Sequence, residues 1–300
     1  MKKAVAALFM VAMVSAAASG QKSPELNAEN ANGNGNAKKF YMRGYAKPGG
    51  GGAQNLNYHN GGTVIRNANV VLIFWGPSFA VNGSADASYA AQLQAFRNQF
   101  GTTGEYNTIS QYYGEDPVSG YGNIAMGSLV GQPDWFDTST PPTNVSDAAV
   151  QAEVKKYIST HNSGATDYNA IYEVFLPTTS FSSDGNQGSC GASGGVTLAY
   201  CAYHSNYSAS GKNVKYSIQP YPSCSGCQVS GWTDAQDQEH FVSHETREAV
   251  TDALGNAWFD RRGYEADDKC AWSPSPFIGS GGFGYQYEWS NSNSGCVKTK

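Results

Sequence analysis

Apolar and polar residues occur in blocks along the chain, and each block predicts one helix or strand. The uninterrupted apolar run Val70–Trp75, closed by Gly76 and Pro77, predicts a strand that is buried on both faces. Further strands are predicted at 124–130, 171–176 and 214–218, and helices at 86–100 and 146–158. This alternation predicts an α/β fold, a single layered domain with a central β-sheet.

One more helix is predicted between Thr233 and Leu254, because Thr233 and Asp234 are favourable N-caps and Gly255 is a stop signal. Polar residues gather on one side of this helix, while the other side is suited to packing on the core. That polar side carries Asp237, His240, Phe241, His244, Glu245, Glu248 and Asp252. Two histidines and four carboxylates on one side are unusual for a helix face that only meets solvent.

The spacing of His244, Glu245 and Glu248 predicts a zinc site. His244 and Glu248 are four residues apart, so an imidazole and a carboxylate can reach one Zn²⁺ ion. In His-Glu-x-x-His metallopeptidases, the residue equivalent to Glu245 is the general base. Here Glu248 replaces the second histidine, and a carboxylate is an acceptable zinc ligand. We therefore predict a zincin-like active-site helix with Glu245 as its catalytic residue.

The third zinc ligand is expected from residues 264–270, which would fold back over the helix and be held there by a disulfide of Cys270. Asp268 is favoured over Glu265. His240, Thr251 and Asp252 are assigned to supporting the ligands or facing the substrate. His204 is interpreted as a structural or surface histidine, with a position in the site as the alternative.

The N-terminal residues predict export. A positively charged start followed by apolar residues to Ala18 predicts a signal peptide over residues 1–20. Residues 21–56, with Asn-Gly repeats and Gly49 to Gly52, predict a disordered spacer, which leaves 57–300 as the folded domain. No later stretch is apolar and long enough to cross a membrane. The expectation is a secreted, extracellular monomer without membrane association.

Cysteines and composition agree with an extracellular protein. An even number of cysteines predicts disulfides formed in an oxidising compartment. The six are Cys190, Cys201, Cys224, Cys227, Cys270 and Cys296. The sequence leaves their pairing open; nearest neighbours would be 190–201, 224–227 and 270–296, and Cys224-x-x-Cys227 is interpreted as a structural disulfide.

Other features narrow the class of partner. Sequons at Asn82, Asn144 and Asn206 predict a glycoprotein if the source is eukaryotic. A formal net charge of −5 and no basic patch argue against nucleic acid as a partner.

Ordered motifs give the chain a family resemblance. They are Tyr58-His59-Asn60-Gly61-Gly62 before the 70–76 strand, the cysteine-rich segment 190–227, the segment from His244 to Asp252, the motif Glu265-x-x-Asp268-x-Cys270 and the Gly281–Tyr285 segment near the end of the chain. Over most of 58–296 the chain resembles the EXORDIUM and phosphate-induced protein family of extracellular plant proteins and their microbial relatives. It departs at Ala253, where relatives usually have proline. The resemblance implies an extracellular location, such as the cell wall or apoplast, and a connection with growth control.

Two functions follow from these predictions. The first is a secreted, zinc-dependent, metallopeptidase-like hydrolase in which Glu245 activates a zinc-bound water, with a peptide, a protein or a cell-wall polymer as substrate. The alternative is a non-catalytic extracellular protein, associated with the cell wall, that binds a partner or regulates growth. A tightly held zinc with an exchangeable position would favour the enzyme.

Overall fold

A computed structural model of the chain describes residues 37–45, 54–209 and 211–300. The predicted signal peptide and much of the predicted spacer lie outside these ranges. The helices are α1 (Ala85–Phe100), α2 (Gly104–Asn107), α3 (Asp147–His161) and α4 (Asp234–Thr251). Within the described ranges, no helix has the length and apolarity needed to traverse a bilayer.

Most strands are short, and six of them form the main sheet. The strands are β1 (Lys38–Tyr41), β2 (Asn57–Tyr58), β3 (Asn69–Trp75), β4 (Tyr113–Gly114), β5 (Gly122–Asn123), β6 (Trp135–Asp137), β7 (Asn144–Ser146), β8 (Ala170–Phe175), β9 (Phe181–Asp184), β10 (Gln187–Gly188), β11 (Thr197–Leu198), β12 (Tyr200–Ala209), β13 (Lys212–Gln219), β14 (Trp258–Phe259), β15 (Phe277–Ile278), β16 (Gly284–Tyr285), β17 (Glu288–Ser290) and β18 (Gly295–Val297).

The main sheet has the order β1-β12-β13-β8-β3-β6. Strands β13, β8, β3 and β6 run parallel, whereas β12 pairs antiparallel with both β13 and β1. Helices α1 and α4 pack on one face and α3 packs on the other. The prediction of a mixed α/β fold with a central sheet is therefore confirmed.

Strand β3 shows why its sequence is an unbroken apolar run. Val70, Leu72 and Phe74 contribute to the core under α1 and α4, while the intervening Val71, Ile73 and Trp75 contribute to the core under α3. A strand covered by helices on both faces has no polar side to show to water. The same reasoning holds for β8, in which every residue is buried.

Two sequence predictions of local structure are wrong. Residues 124–130 form no strand, because their backbone bonds to loops instead, as when Gly127 N–H donates to the carbonyl of Gly101 at 3.0 Å. The sequence also predicts no strand between residues 181 and 213, whereas the structure has the ten-residue strand β12 there. The sequence does not predict β12 because small and polar residues interrupt its apolar pattern, although the strand is buried between β1 and β13.

The predicted spacer also contains ordered structure. Lys38–Tyr41, inside the range 21–56 that was expected to be disordered, forms β1 and pairs antiparallel with β12. Phe40 is completely buried. Four consecutive residues with large side chains can gain enough burial and hydrogen bonding to be ordered, even next to glycine-rich sequence.

All six cysteines form disulfides, and the pairing that the sequence left open matches the nearest-neighbour one only at Cys270–Cys296. The bonds are Cys190–Cys224, Cys201–Cys227 and Cys270–Cys296. Cys224 and Cys227 do not bond to each other, because the short 3-10 turn that contains them directs their sulfurs to different partners. The Cys201–Cys227 bond attaches this turn to the start of β12, and the Cys190–Cys224 bond attaches it to the loop after β10. Disulfides are typical of proteins in oxidising, extracellular compartments.

Candidate metal centre

Helix α4 lies in the interior of the protein and carries the predicted zinc-binding residues. Its N-terminus has the predicted cap: the Thr233 hydroxyl accepts from the Gln236 N–H at 3.2 Å, and the Gln236 side chain accepts from the Thr233 N–H at 3.0 Å. The helix ends at Thr251, three residues before the predicted Leu254. Every residue from Asp237 to Thr251 is buried, so its polar side faces other protein groups and not solvent.

Three predicted ligands converge at the middle of α4. The Nε2 atom of His244 lies 3.1 Å from Oε2 of Glu248 and 3.9 Å from Oδ1 of Asp268. The backbone N–H of Asp268 donates to Oε1 of Glu248 at 2.9 Å, which fixes the fold-back of this segment over the helix. One ligand atom from each of the three residues fits within 4.8 Å of the others, a geometry compatible with one metal ion.

His204 is a fourth member of this cluster, and sequence analysis assigned it a structural or surface role. Its Nε2 atom lies 3.4 Å from Oε2 of Glu248, and both side chains are buried. His204 reaches α4 because Tyr203 and Tyr207 on the same strand point into the core under α3. His204, Glu245 and Glu248 form a second group of possible metal ligands, again within 4.8 Å.

Glu265 and Asp252 lie next to this cluster, and Thr251 supports the helix that carries it. Oε2 of Glu265 is 3.7 Å from Nε2 of His204 and 3.6 Å from Nζ of Lys38. Burial and the neighbouring charge of Glu265 raise the pKa of Asp252 to about 7. The Thr251 hydroxyl donates to the backbone carbonyls of Arg247 at 3.0 Å and Glu248 at 3.4 Å, so it supports the helix backbone.

Gln286 orients His244, a role that sequence analysis missed. The Gln286 amide nitrogen donates to Asp267, both to its carbonyl at 2.8 Å and to its carboxylate at 2.9 Å. Its Oε1 therefore faces Nδ1 of His244 at 3.2 Å and Nε2 of His240 at 3.0 Å. An Nδ1–H donated to Gln286 leaves Nε2 of His244 directed at Glu248 and Asp268.

Asp252 and His240 were both assigned to supporting the ligands or facing the substrate. The contact with Nδ1 of His244 is made by Gln286 and not by Asp252. His240 was expected to support the site and not to bind the ion. It lies beside His244 and shares Gln286 with it.

The charges of the cluster shift its proton equilibria strongly. Burial alone would lower the pKa of His244, but the charge of Glu248 raises it to about 10. Burial opposes ionisation of Glu248, yet the charges of His244 and His204 hold the pKa of Glu248 well below its usual range. Burial raises the pKa of Glu245 well above its usual range. Among the described residues, neither carboxylate oxygen of Glu245 has a hydrogen-bond partner.

A second buried ionic cluster lies beside the first along α4, and Gln286 contacts both. The Arg247 guanidinium forms an ion pair with Asp267, contacts Oε2 of Glu288 at 3.2 Å and donates to the carbonyl of Glu105 at 3.1 Å. Burial raises the pKa of Glu288 well above its usual range, and burial also raises the pKa of Asp267, to about 7, although the charge of Arg247 opposes that rise. We call this group the Arg247 cluster.

Comparisons of the chain with protein-family models, with curated proteins and with solved structures found no match. The resemblance to the EXORDIUM family stays a prediction. The function is therefore inferred from the chemistry of the residues around Glu248.

Proposed function

We propose that this protein is a secreted zinc-dependent hydrolase that acts on peptides, with α4 as its zincin-like active-site helix. The observation that supports this most is the convergence of His244, Glu248 and Asp268 next to a buried Glu245 that has no hydrogen-bond partner among the described residues. Nitrogen and carboxylate oxygen are the donor atoms that zinc takes from histidine and acidic residues.

The charge of the cluster suits a divalent cation. Four carboxyl groups, of Glu245, Glu248, Glu265 and Asp268, lie close together in the interior. Lys38 contributes one positive charge, and the two histidines contribute charge only when each holds a second proton. Burying carboxylates without compensation is costly. One divalent cation would supply the charge of those two protons and leave both imidazoles neutral.

The residues of the chain have separate tasks in this proposal. His244, Glu248 and Asp268 would hold the zinc, which when bound would polarise the substrate carbonyl and acidify water. Glu245 would accept a proton from the attacking water and return it to the leaving nitrogen. Gln286 holds the ring of His244, and the N–H of Asp268 holds Glu248, so both side chains are positioned before the cation binds.

His204 favours a second candidate function. His204 and His244 both contact Oε2 of Glu248, and Asp268 lies 3.9 Å from His244, so a zinc bound at Glu248 would have His204 as a candidate fourth ligand. A zinc held by four protein ligands is structural, because it keeps no position for water or substrate. The protein would then be the non-catalytic extracellular binding protein that the sequence analysis kept as its alternative.

Zinc content and turnover together test the proposal. We expect about one zinc per chain, release of new termini from a mixed peptide library, and loss of both in His244→Ala. Glu245→Gln should keep its zinc and lose about 10²- to 10⁴-fold in turnover, because the general base is gone. Glu239→Gln is the matched control, since Glu239 is a buried carboxyl of α4 that accepts from the Gly284 N–H instead.

Two results would contradict the hydrolase. One is full turnover in Glu245→Gln. The other is a folded protein whose zinc is lost equally in His204→Ala and His244→Ala and which cleaves no peptide, the pattern of a closed structural site.

A further inference from the structure

Strand β1 lies directly against the candidate metal centre. The ring of Phe40 is 4.4 Å from the ring of His244 and 5.1 Å from that of His240, measured between centroids. Two residues earlier, and so on the same face of the strand, Lys38 places its Nζ 3.6 Å from Glu265. Lys39, on the opposite face, forms an ion pair with Asp184 at 2.8 Å. Side chains of β1 therefore cover the centre.

Hydrogen bonds to the backbone of β1 hold the strand in place, and they do not depend on which side chains the strand carries. Lys38 stands opposite His204, and Phe40 stands opposite Ala202 in the antiparallel ladder. Beyond the strand, Met42 N–H donates to Ala199 at 3.1 Å, and the indole N–H of Trp272 donates to the carbonyl of Tyr41 at 2.8 Å. Such main-chain bonds at a sheet edge are the means by which proteins bind extended peptides.

Phe40 fills a pocket that selects for a large apolar side chain. The pocket is lined by Phe241, Trp272, Ala202 and the Cys201–Cys227 disulfide, with the two imidazoles of α4 at its base. Trp272 adopts a left-handed backbone conformation, with φ of 59°, and its indole lies over the strand. We call the edge of β12 together with this pocket the β1 groove.

We propose that the β1 groove is the binding site for an extended peptide, and that Lys38–Tyr41 occupies it as an internal competitor. The peptide would pair antiparallel with β12, place an aromatic or large apolar side chain in the Phe40 pocket and place a basic side chain two residues earlier, facing Glu265. His204 on β12 ties the groove to the centre, because it pairs opposite the bound strand and contacts Glu248. This inference names the substrate class of the proposed hydrolase, but peptide binding itself does not require hydrolysis.

Covalent attachment explains why β1 would exclude other peptides. A segment joined to its site by a short linker competes at an effective concentration of about 1 mM, which weak external peptides do not match. β1 contains only four residues and pairs with β12 on one side only, so once the chain between it and the domain is cut it is held by non-covalent contacts alone. Cutting the chain before residue 54 would therefore turn a permanent competitor into a ligand that dissociates.

The test is performed on the full chain with a site-specific protease sequence replacing Gly49 to Gly52. The probe is a fluorescein-labelled peptide with the sequence of residues 37–42, and its binding is followed by fluorescence anisotropy. After cutting and gel filtration, we expect the protein to lose its N-terminal fragment and to bind the peptide at least about tenfold more tightly than the uncut protein. Replacing the phenylalanine of the peptide by alanine should weaken binding at least about tenfold.

A variant of the uncut chain provides an independent arm. Phe40→Ala should weaken docking of β1, so this variant should bind the peptide more tightly than the unaltered chain does. Phe79→Ala is its matched control, because Phe79 is equally buried but packs on Phe74 and Tyr89. It should leave peptide binding unchanged.

The outcomes separate this proposal from the hydrolase. Release of the fragment with tight peptide binding supports the β1 groove even if no peptide is ever cleaved. A cut protein that unfolds, retains its fragment in the presence of excess peptide, or binds a scrambled peptide equally well would show that β1 is only a structural strand. Zinc and turnover do not enter the measurement, so failure of the proposed function leaves the result interpretable.

Discussion

Two buried ionic clusters lie side by side along α4, and they balance their charges in different ways. In the Arg247 cluster, a permanent guanidinium lies against Asp267 and Glu288. Around Glu248, the positive charge comes from Lys38 and from histidines that must hold extra protons. Gln286 contacts both clusters, since it donates to Asp267 and accepts from His244.

This difference indicates which cluster is complete without a ligand. The Arg247 cluster contains its own permanent cation, although Oε1 of Glu288 has no hydrogen-bond partner among the described residues. The cluster around Glu248 lacks a permanent cation of this kind at its middle, among the residues that the structure describes, and leaves Glu245 without a hydrogen-bond partner. We interpret the first as a structural support and the second as a site prepared for a metal ion.

The largest effect is expected from removing the guanidinium. Arg247→Met leaves buried acids without their partner and should lower the free energy of unfolding by about 3–5 kcal/mol. Urea denaturation of the variant measures this loss. Combining it with Asp267→Asn and Glu288→Gln should restore most of the stability, and a stable single variant would show that Arg247 does not compensate the cluster.

Zinc should act on the other cluster with a somewhat smaller effect. At a free zinc concentration of 100 times the dissociation constant, the free energy of unfolding should rise by about 2.7 kcal/mol. In His244→Ala this increase should disappear, whereas in His161→Ala, a change at an exposed histidine stacked on Tyr157, it should remain. Equal stabilisation of all three proteins would place the zinc elsewhere.

A variant of Gln286 measures how much the orientation of His244 contributes to zinc affinity. Gln286→Leu removes the acceptor of His244 Nδ1–H without removing a ligand, and it should weaken zinc binding by about 10- to 100-fold. A competition titration with a chromogenic chelator measures the affinity. Gln219→Leu is the control, because Gln219 is a buried glutamine that bonds to Gln238, and an equal loss there would mean that the effect is not specific.

Glu173 offers the smallest test, a single buried acid on the core side of α4. Burial raises the pKa of Glu173 to about 8, although the Thr246 hydroxyl donates to it at 2.6 Å. The folded protein thus keeps this proton at a pH where the unfolded chain has lost it. Its stabilising effect is complete below the ordinary pKa of 4.5 and is lost as the pH rises towards 8.

The corresponding variant is Glu173→Gln, which cannot titrate. Between about pH 6 and pH 7 the unaltered protein should lose about 1.4 kcal/mol of stability more than the variant does. Urea denaturation at the two pH values gives this difference directly. Identical pH dependence in both proteins would mean that Glu173 ionises normally in the folded state.

The parts of the site that sequence could predict are those encoded locally. Thr233 and Gln236 form a helix cap from residues only three positions apart. The four-residue spacing of His244 and Glu248 places both on one side of a helix. The fold-back of Asp268 was also predictable, because a short turn and a nearby cysteine limit where that segment can lie. Strand β3 was predictable for the same local reason.

The parts that sequence did not give come from pairings between distant residues. His204 enters the centre only because β12 pairs with β13 and β1, and its strand lacks a strong apolar pattern. Gln286 has a side chain without any distinctive chemistry, and only its contact with Asp267 turns its oxygen towards His244. β1 was hidden because the glycine-rich sequence around it predicts disorder over the whole range.

The crossed arrangement of two disulfides has a consequence for biosynthesis. Cys190 and Cys201 are the first cysteines to leave the ribosome, yet the structure joins each to a residue of the later Cys224–Cys227 segment. Oxidation in the order of synthesis would join Cys190 to Cys201. Replacing that bond by the two native ones requires a free thiolate, from Cys224 or Cys227, to attack it. Recombinant production should therefore depend on a thiol–disulfide exchange catalyst or a glutathione buffer.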